Sequence, residues 1–383
     1  NNSHCLSAAT VDRAFASDVI IQGNFTKEEA KTLVELINSG ALPTNLKETK
    51  TLNQVASEFA AHKDFQTKSD LGLVINPKTI ELLYAAAKSK RFGNVLLCNY
   101  KDTYNPLIEE QFCAITAIID NIVFVAFRGT DDTIVGWKED FNLAFKDFVP
   151  AQQEAVAYLT DVIDNFRFKD IFVGGHSKGG NLAIYSAANI KSRFQKKVDA
   201  VFNFDGPGFL EETLLKSNFI EILEKTTSVF PQGSIIGMLF KHQKDYSVVS
   251  SDGFFVMQHD PFTWKLDGPD FLRCEDLDKG SAFFHKIFNE WFVNLEKEKR
   301  EEFVETLFDL LETTEAKTNS ELTANWVKNS SKIIKAFSDL DPEIKKSTGS
   351  TIGEFFKLAK KSVSDKIIAE KNKLSDTISI WKF

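Results

Sequence analysis

From Cys113 onward, short apolar runs alternate with stretches whose apolar residues recur every three or four positions. "CAITAIID" and "NIVFVAFRG" are β-rich runs meeting at Asp120-Asn121, which predicts a hairpin. "PAQQEAVAYLTDVIDNF" has helical spacing and opens on Pro150, a residue suited to a first turn. Strand "DIFVGG", helix "GGNLAIYSAANI", strand "DAVFNFDG", helix "EETLLKSNFIEILEK" and strand "TTSVFP" follow in order. Such alternation predicts an α/β fold with a mostly parallel central sheet covered by helices. "YSVVSS" and "FFVMQHD" read as two further β runs.

The ends of the chain have a different texture. "TKEEAKTLVELINSG" starts with a Thr26/Glu29 capping box and stops at Gly40, and "NPKTIELLYAAAKSKRF" carries Asn76 as cap with Pro77 in the first turn. After Asp276 the pattern is helical again. The expected division is a helical N-terminal region over 1–110, an α/β core over 111–280 and a helical C-terminal extension over 281–383. Within that extension, "IGEFFKLAKKSVSDKIIAEKNKL" pairs helical apolar spacing with a basic face. It reads as a surface helix packed on the core, or as one suited to peripheral contact with an anionic membrane.

Composition narrows the function classes. A hydrophobic share of 43% beside 26% charged residues is that of a globular chain with a sizeable core. The 35 phenylalanines supply packing for it. A formal charge of −8 argues against a nucleic-acid partner, which needs a basic face to displace counterions. Cys5, Cys98, Cys113 and Cys274 are widely spaced, which suits neither a zinc site nor a disulfide framework. A reducing, cytoplasmic location is the simplest expectation, although a chain opening on Asn is compatible with a trimmed leader. The longest apolar region, "FCAITAIIDNIVFVAF", is broken by Asp120 and Asn121 and is not read as a membrane span.

The chemistry concentrates in Gly175-His176-Ser177-Lys178-Gly179, which fits the G-x-S-x-G nucleophile elbow. A serine at a sharp strand-to-helix turn is strained, and small neighbours let strand and helix approach. Its hydroxyl is then exposed above the sheet, beside N–H groups at a helix N-terminus that favour an oxyanion. Here the flanking strand and helix are both present. The plainer reading is a glycine-rich turn whose serine caps a helix. A phosphate loop fails on spacing, since "GGHSKGG" lacks G-x-G-x-x-G and no Ser or Thr follows Lys178.

A nucleophile needs a base, and in this fold class the acid and then the histidine follow the serine. His242, His259 and His285 all follow Ser177. His285 sits among aromatics at helical spacing and His242 in a polar loop; His259, just after a β run, is favoured. His176 is too close to Ser177 along the backbone to be its base, and is read as a buttress of the turn. Asp205 ends the strand after the elbow helix, at the carboxyl edge where active-site loops gather. It is the favoured acid; Asp245 is the main alternative, and Asp252 and Asp260 are further candidates, each equally readable as a turn residue.

Taken together, "SKRF", "RGTDDTIVGWKEDF", "GHSKGGNLA", "DGPGF" and "QHDPFTW" resemble a bacterial family of lipase-like α/β-hydrolases. The resemblance extends from about Asn76 to the mid-300s. More distantly, the chain is similar to the fungal-type class 3 lipases. That likeness implies an α/β-hydrolase fold with Ser177 as nucleophile and His259 as base. It implies that Thr130 completes the oxyanion hole with the Lys178 N–H, through its own backbone N–H and with or without its hydroxyl. Class 3 lipases carry their acid after the next-to-last strand, where this chain reads "FPQGSIIGMLF" with no carboxylate; Asp205 is the natural substitute.

Lys178 also departs from the lipases, which often have an apolar residue there. A cation beside the nucleophile would favour an anionic substrate or headgroup; a solvated lysine is the plainer reading. Trp137 and Asp140 are expected to brace the Thr130 loop, with Arg128 reaching Asp131 or Asp140. "FLEETLLKSNFIEILEK" and "GSIIGMLF" read either as cover for an acyl pocket or as plain core. The expected function is hydrolysis of a small-molecule or lipid acyl ester through a Ser-His-Asp acyl-enzyme mechanism, with no cofactor and no metal. The alternatives are a thioesterase, or a silent hydrolase fold used for binding.

Overall fold

The computed structural model describes residues 48–65, 75–243, 245–253, 255–268, 270–281, 295–347 and 349–350. The helix expected from Thr26 and the basic segment after Thr351 lie outside them, as do Cys5 and His285.

The described chain begins with β1 (Lys50–Thr51), α1 (Leu52–Ala60), α2 (Lys78–Lys88), β2 (Leu96–Asn105), β3 (Glu110–Ile119) and β4 (Ile122–Phe127). Next come α3 (Ile134–Asn142), α4 (Pro150–Asn165), β5 (Asp170–His176), α5 (Lys178–Asn189), α6 (Ser192–Gln195) and β6 (Val198–Phe204). After these are α7 (Glu211–Leu214), α8 (Ser217–Leu223), β7 (Thr226–Pro231) and β8 (Ser247–Val249). Two 3₁₀ turns, Phe255–His259 and Pro261–Thr263, lead to β9 (Leu266–Asp267), β10 (Asp270–Phe271) and β11 (Arg273–Cys274). Helices α9 (Lys297–Glu312), α10 (Asn319–Ala324) and α11 (Trp326–Asp339) follow.

One nine-stranded sheet runs β1-β2-β3-β4-β5-β6-β7-β8-β11. Its centre, β4 to β8, is parallel, and both margins are antiparallel. This is the α/β-hydrolase fold. β3 and β4 form the hairpin expected at Asp120-Asn121, with Asp120 in the left-handed region at φ 51°. The sheet also takes in β1 and β2, so pairing begins upstream of residue 111, inside the region expected to be helical. "LLCNYKDTYN" mixes exposed and buried positions without a clean period, which hid the strand.

Strands buried on both faces read as near-continuous apolar runs, and alternate residues divide between two cores. Phe124, Ala126, Phe172, Phe202 and Phe204 face one side with α1 and α2. Val123, Val125, Phe127, Ile171, Val173 and Val201 face the other, against α4, α5 and α8. Many of the phenylalanines are thus core residues; deleting one such ring costs about 3–5 kcal/mol. A third cluster joins Ile134 of α3 to Phe303, Val304 and Phe308 of α9, with the Phe141 and Phe308 rings edge-on at 5.6 Å.

Two local expectations change. "EETLLKSNFIEILEK" is not one helix, because Lys216 is extended between α7 and α8 (φ −69°, ψ 137°). "FFVMQHD" is not a strand: Phe255–His259 is a 3₁₀ turn. Both edges of β8 are already occupied, by β7 and β11, so no ladder is open to it there.

Candidate active site

Strand β5 feeds α5 through Ser177, whose backbone sits at φ 58°, ψ −134°. A side-chain-bearing residue in such a conformation costs on the order of 1–3 kcal/mol. The turn is held by the Ser177 N–H donating to the Phe204 carbonyl (3.0 Å) and by the Gly180 N–H donating to the Ser177 carbonyl (2.9 Å). The flanking glycines answer to close approach. A Cβ on Gly175 would lie 2.2 Å from the Gly179 carbonyl carbon, and one on Gly179 would lie 2.1 Å from the Phe127 carbonyl oxygen. Both obstacles are backbone, so neither moves cheaply.

Asp205 directly follows β6, at φ 51°, and is fully buried. Its Oδ2 lies 2.7 Å from His259 Nδ1, and its Oδ1 accepts from the Ser234 hydroxyl. A carboxylate only accepts, so Nδ1 carries a proton, and in the neutral ring Nε2 is the nitrogen with the lone pair. Ser234 belongs to "FPQGSIIGMLF", a segment without a carboxylate that contributes a hydroxyl donor to Asp205 instead.

His259 is anchored at several points. The His176 ring stacks on it, centroids 4.5 Å apart at 33°, and His176 Nε2 lies 2.9 Å from the His259 carbonyl. A carbonyl only accepts, so His176 donates there, which fixes its tautomer. His176 immediately precedes Ser177, so this contact ties the imidazole of His259 to the elbow. Around it, the Gln258 side chain accepts from the Gly233 N–H (2.9 Å), and Trp264 Nε1 donates to the Gln258 carbonyl (2.9 Å). Asp260 caps the Pro261 turn by accepting from the Phe262 N–H (3.0 Å), and also accepts from Asn76 Nδ2 (2.6 Å). "QHDPFTW" is the set of anchors that aims one histidine.

The other candidates lie elsewhere. His242 packs edge-on against Phe230, 4.9 Å between centroids. Asp245, the alternative acid, is exposed, and its carbonyl accepts from Gln243. Asp252 pairs with Lys265 at 2.7 Å.

The loop after β4 carries Thr130, whose hydroxyl donates to Asp140 Oδ2 on α3. That hydroxyl is committed to Asp140. Burial pushes the Asp140 carboxyl up to about 6, against the downward pull of Lys178 and the Thr130 hydrogen bond; Glu139 and Asp131 push it further up. Arg128 is buried and reaches Asp131 (3.3 Å) and Asp102 (3.4 Å), not Asp140. Trp137 packs into the cluster between α3 and α9.

Lys178 overturns both readings of its side chain. It is 1% exposed, so it is neither solvated nor presented to a substrate. Its Nζ donates to Glu139 Oε2 (2.9 Å), Gln111 Oε1 (2.8 Å) and the Gln111 carbonyl (2.8 Å), which uses all three ammonium protons. Sequence reasoning missed Glu139, Gln111, Ser234 and Gln258. Glu139 is adjacent to Asp140 in "RGTDDTIVGWKEDF", and Ser234 lies in a segment that carries no carboxylate. Nothing local marks Gln111.

Cys98, Cys113 and Cys274 are free thiols. Among the described residues no group of three or more His, Cys, Asp or Glu side chains is placed to hold a metal ion, and no helix is long and apolar enough to cross a membrane.

Among solved structures, the chain is similar to the Lip2 lipase from Yarrowia lipolytica: 15% identity, TM-score 0.37, over 67% of this chain and 88% of that one. A Rhizomucor miehei lipase–propeptide complex matches at 13% identity and TM-score 0.32, over 58% of this chain and 70% of that one. Lipase II from Rhizopus niveus matches at 14% identity and TM-score 0.31, over 39% and 66%. These likenesses are too distant to transfer residue roles. No curated protein matches the chain. Residues 86–309, more than half of the sequence and the stretch that contains the elbow, Asp205 and His259, match the Mbeg1-like family. The chain belongs to the Mbeg1-like family, a lipase-like family.

Proposed function

We propose that the protein is a serine hydrolase that cleaves carboxylic esters of small-molecule or lipid acyl groups through an acyl-enzyme. The observation that carries this reading is the 2.7 Å hydrogen bond from His259 to the buried Asp205, joined by the His176 stack to the strained turn at Ser177. His259 Nε2 takes the Ser177 proton as Oγ bonds the carbonyl carbon. The oxyanion so formed accepts from the Thr130 and Lys178 N–H groups. Collapse expels the alcohol, which leaves with the proton held by His259, and water then repeats the sequence to release the acid. Asp205 holds the imidazole tautomer and stabilises the imidazolium without itself becoming protonated.

The test is a fluorophosphonate probe with mass spectrometry of the adduct. A stoichiometric adduct on Ser177, absent in Ser177→Ala and strongly slowed in His259→Ala, supports the reading. In an ester assay, Asp205→Asn lowers kcat by about 10⁴, the cost of the wrong imidazole tautomer. A folded wild-type protein that forms no adduct, with or without lipid or detergent, overturns it in favour of a binding role. Thioesters run beside oxygen esters of graded chain length assign the acyl class.

A further inference from the structure

Helix α3 reaches both groups assigned to the oxyanion, through two adjacent residues. Asp140 accepts the Thr130 hydroxyl, and Glu139 pairs with the Lys178 ammonium at 2.9 Å. Glu139 and Lys178 are 0% and 1% exposed. Glu139 does more than neutralise a charge. Its Oε2 also accepts from the Gln111 N–H of β3 (3.0 Å), and its Oε1 accepts from the Ala151 N–H in the first turn of α4 (2.8 Å). One carboxylate thereby joins β3, α4 and the N-terminus of α5.

We propose that Glu139 and Lys178 are positioning residues: their buried ion pair fixes the first residue of α5, and with it the Lys178 N–H, relative to the Thr130 loop that α3 holds next door. The inference rests on the serine-hydrolase reading and adds a role for two side chains, the Lys178 ammonium and the Glu139 carboxylate, that touch neither substrate nor the reacting atoms. Its physical basis is cost. A buried ion pair is seldom the most stable filling for a core, and two well-packed apolar side chains often serve stability as well or better. What the pair supplies and apolar residues do not is direction: three donated bonds on Nζ and three accepted on the carboxylate set one orientation of α5 against α3. Oxyanion stabilisation depends on that orientation, because donors must meet the oxygen at hydrogen-bond distance in the transition state.

The test removes both charges together, since removing one strands the other in the core. In Lys178→Met/Glu139→Gln, methionine follows the lysine stem, and the glutamine carbonyl still accepts from Ala151. The backbone N–H of residue 178 remains in both forms. Melting temperature, the rate constant for phosphonylation of Ser177, and kcat and KM on one ester are measured beside wild type. The expected result is a folded protein whose phosphonylation rate and kcat both fall by about ten- to a hundredfold with KM within about twofold, the signature of donors displaced by a fraction of an ångström. Lys178→Arg, which keeps the charge in a different shape, falls between the two. A folded double variant that reacts within about twofold of wild type overturns the inference and leaves the serine-hydrolase reading intact. If the double variant does not fold, Lys178→Arg decides: wild-type kcat in that folded single variant overturns the inference, and reduced kcat at unchanged KM supports it. Absence of any adduct on folded wild-type protein removes both readings together.

Discussion

Two segments meet at the carboxyl edge of the sheet and are held there by different physics. The backbone of the elbow, His176 to Gly180, is held by close steric contact, although the Lys178 side chain is tied to Gln111 and Glu139. A strand enters, a helix leaves, two glycines permit backbone contact, and two backbone hydrogen bonds close the turn. The loop from Arg128 to Thr133 is held by side-chain hydrogen bonds, charge and remote sequence. Arg128 binds Asp102 and Asp131, Thr130 binds Asp140, and the Ile134 N–H donates to the Lys317 carbonyl at 2.9 Å. The Asn319 N–H donates to the Asp132 carbonyl (2.9 Å), and the Ser320 N–H donates to Asp132 Oδ2 (3.1 Å). A steric device tolerates no change, whereas a polar one can be weakened by degrees and responds to pH. In the proposed site each supplies one oxyanion donor.

The largest expected effect is on the elbow. Gly179→Ala puts a methyl carbon 2.1 Å from the Phe127 carbonyl oxygen, and relief requires α5 to move off β4. We expect a loss of about 3 kcal/mol or more, seen as a lowered midpoint in denaturant, and no labelling at Ser177. A variant with wild-type stability and labelling would show that the contact is not what holds the elbow.

The loop yields to a more distant change. Phe308 on α9 is 3% exposed and packs edge-on against Phe141 of α3. Phe308→Ala leaves a cavity between those helices, at about 3 kcal/mol locally. Amide hydrogen exchange should rise more than tenfold across residues 128–142 while the amides of β5 and α5 keep their protection. Equal acceleration in both segments would mean that the two are one cooperative unit and that the contrast drawn between them fails.

This difference also decides what was legible in the sequence. Strain, tight turns and buried parallel strands are written locally, so Ser177, its glycines, β5, α5 and β6 could be read directly, and Asp205 followed from the end of β6. The 3₁₀ turn at His259 was less legible. Its apolar residues look like a strand, but both edges of β8 are taken by β7 and by β11, which comes later in the chain. Lys178 was misread because a lysine on a helix is usually solvated. Its acceptors lie 67 and 39 residues upstream, where no pattern signals that a carboxylate is buried and in need of a cation. The grip of residues 317–320 on the Thr130 loop was invisible for the same reason, since long-range polar pairing has no period.

The smallest effect sharpens the contrast most. Asp140 titrates near 6, raised from the ordinary 3.8 chiefly by burial. Its charge is thus costlier in the folded protein than in the unfolded chain. The stability it contributes is fully present below pH 4 and is lost as pH rises through 6; above that the ionised carboxylate is a net cost. Asparagine keeps an acceptor for the Thr130 hydroxyl and removes the titration. The stability of Asp140→Asn relative to wild type should therefore climb between pH 4 and pH 6 and level off above it. The climb is on the order of 1–2 kcal/mol, discounted because the buried carboxyl still keeps a small contact with screening solvent. Melts of the two proteins across that range measure the difference. A flat difference would mean that Asp140 ionises as freely in the fold as out of it, and the loop would lose its pH sensitivity. A climb would tie the stability of the Thr130 loop to pH through one carboxyl group, a handle that the backbone contacts closing the elbow do not offer.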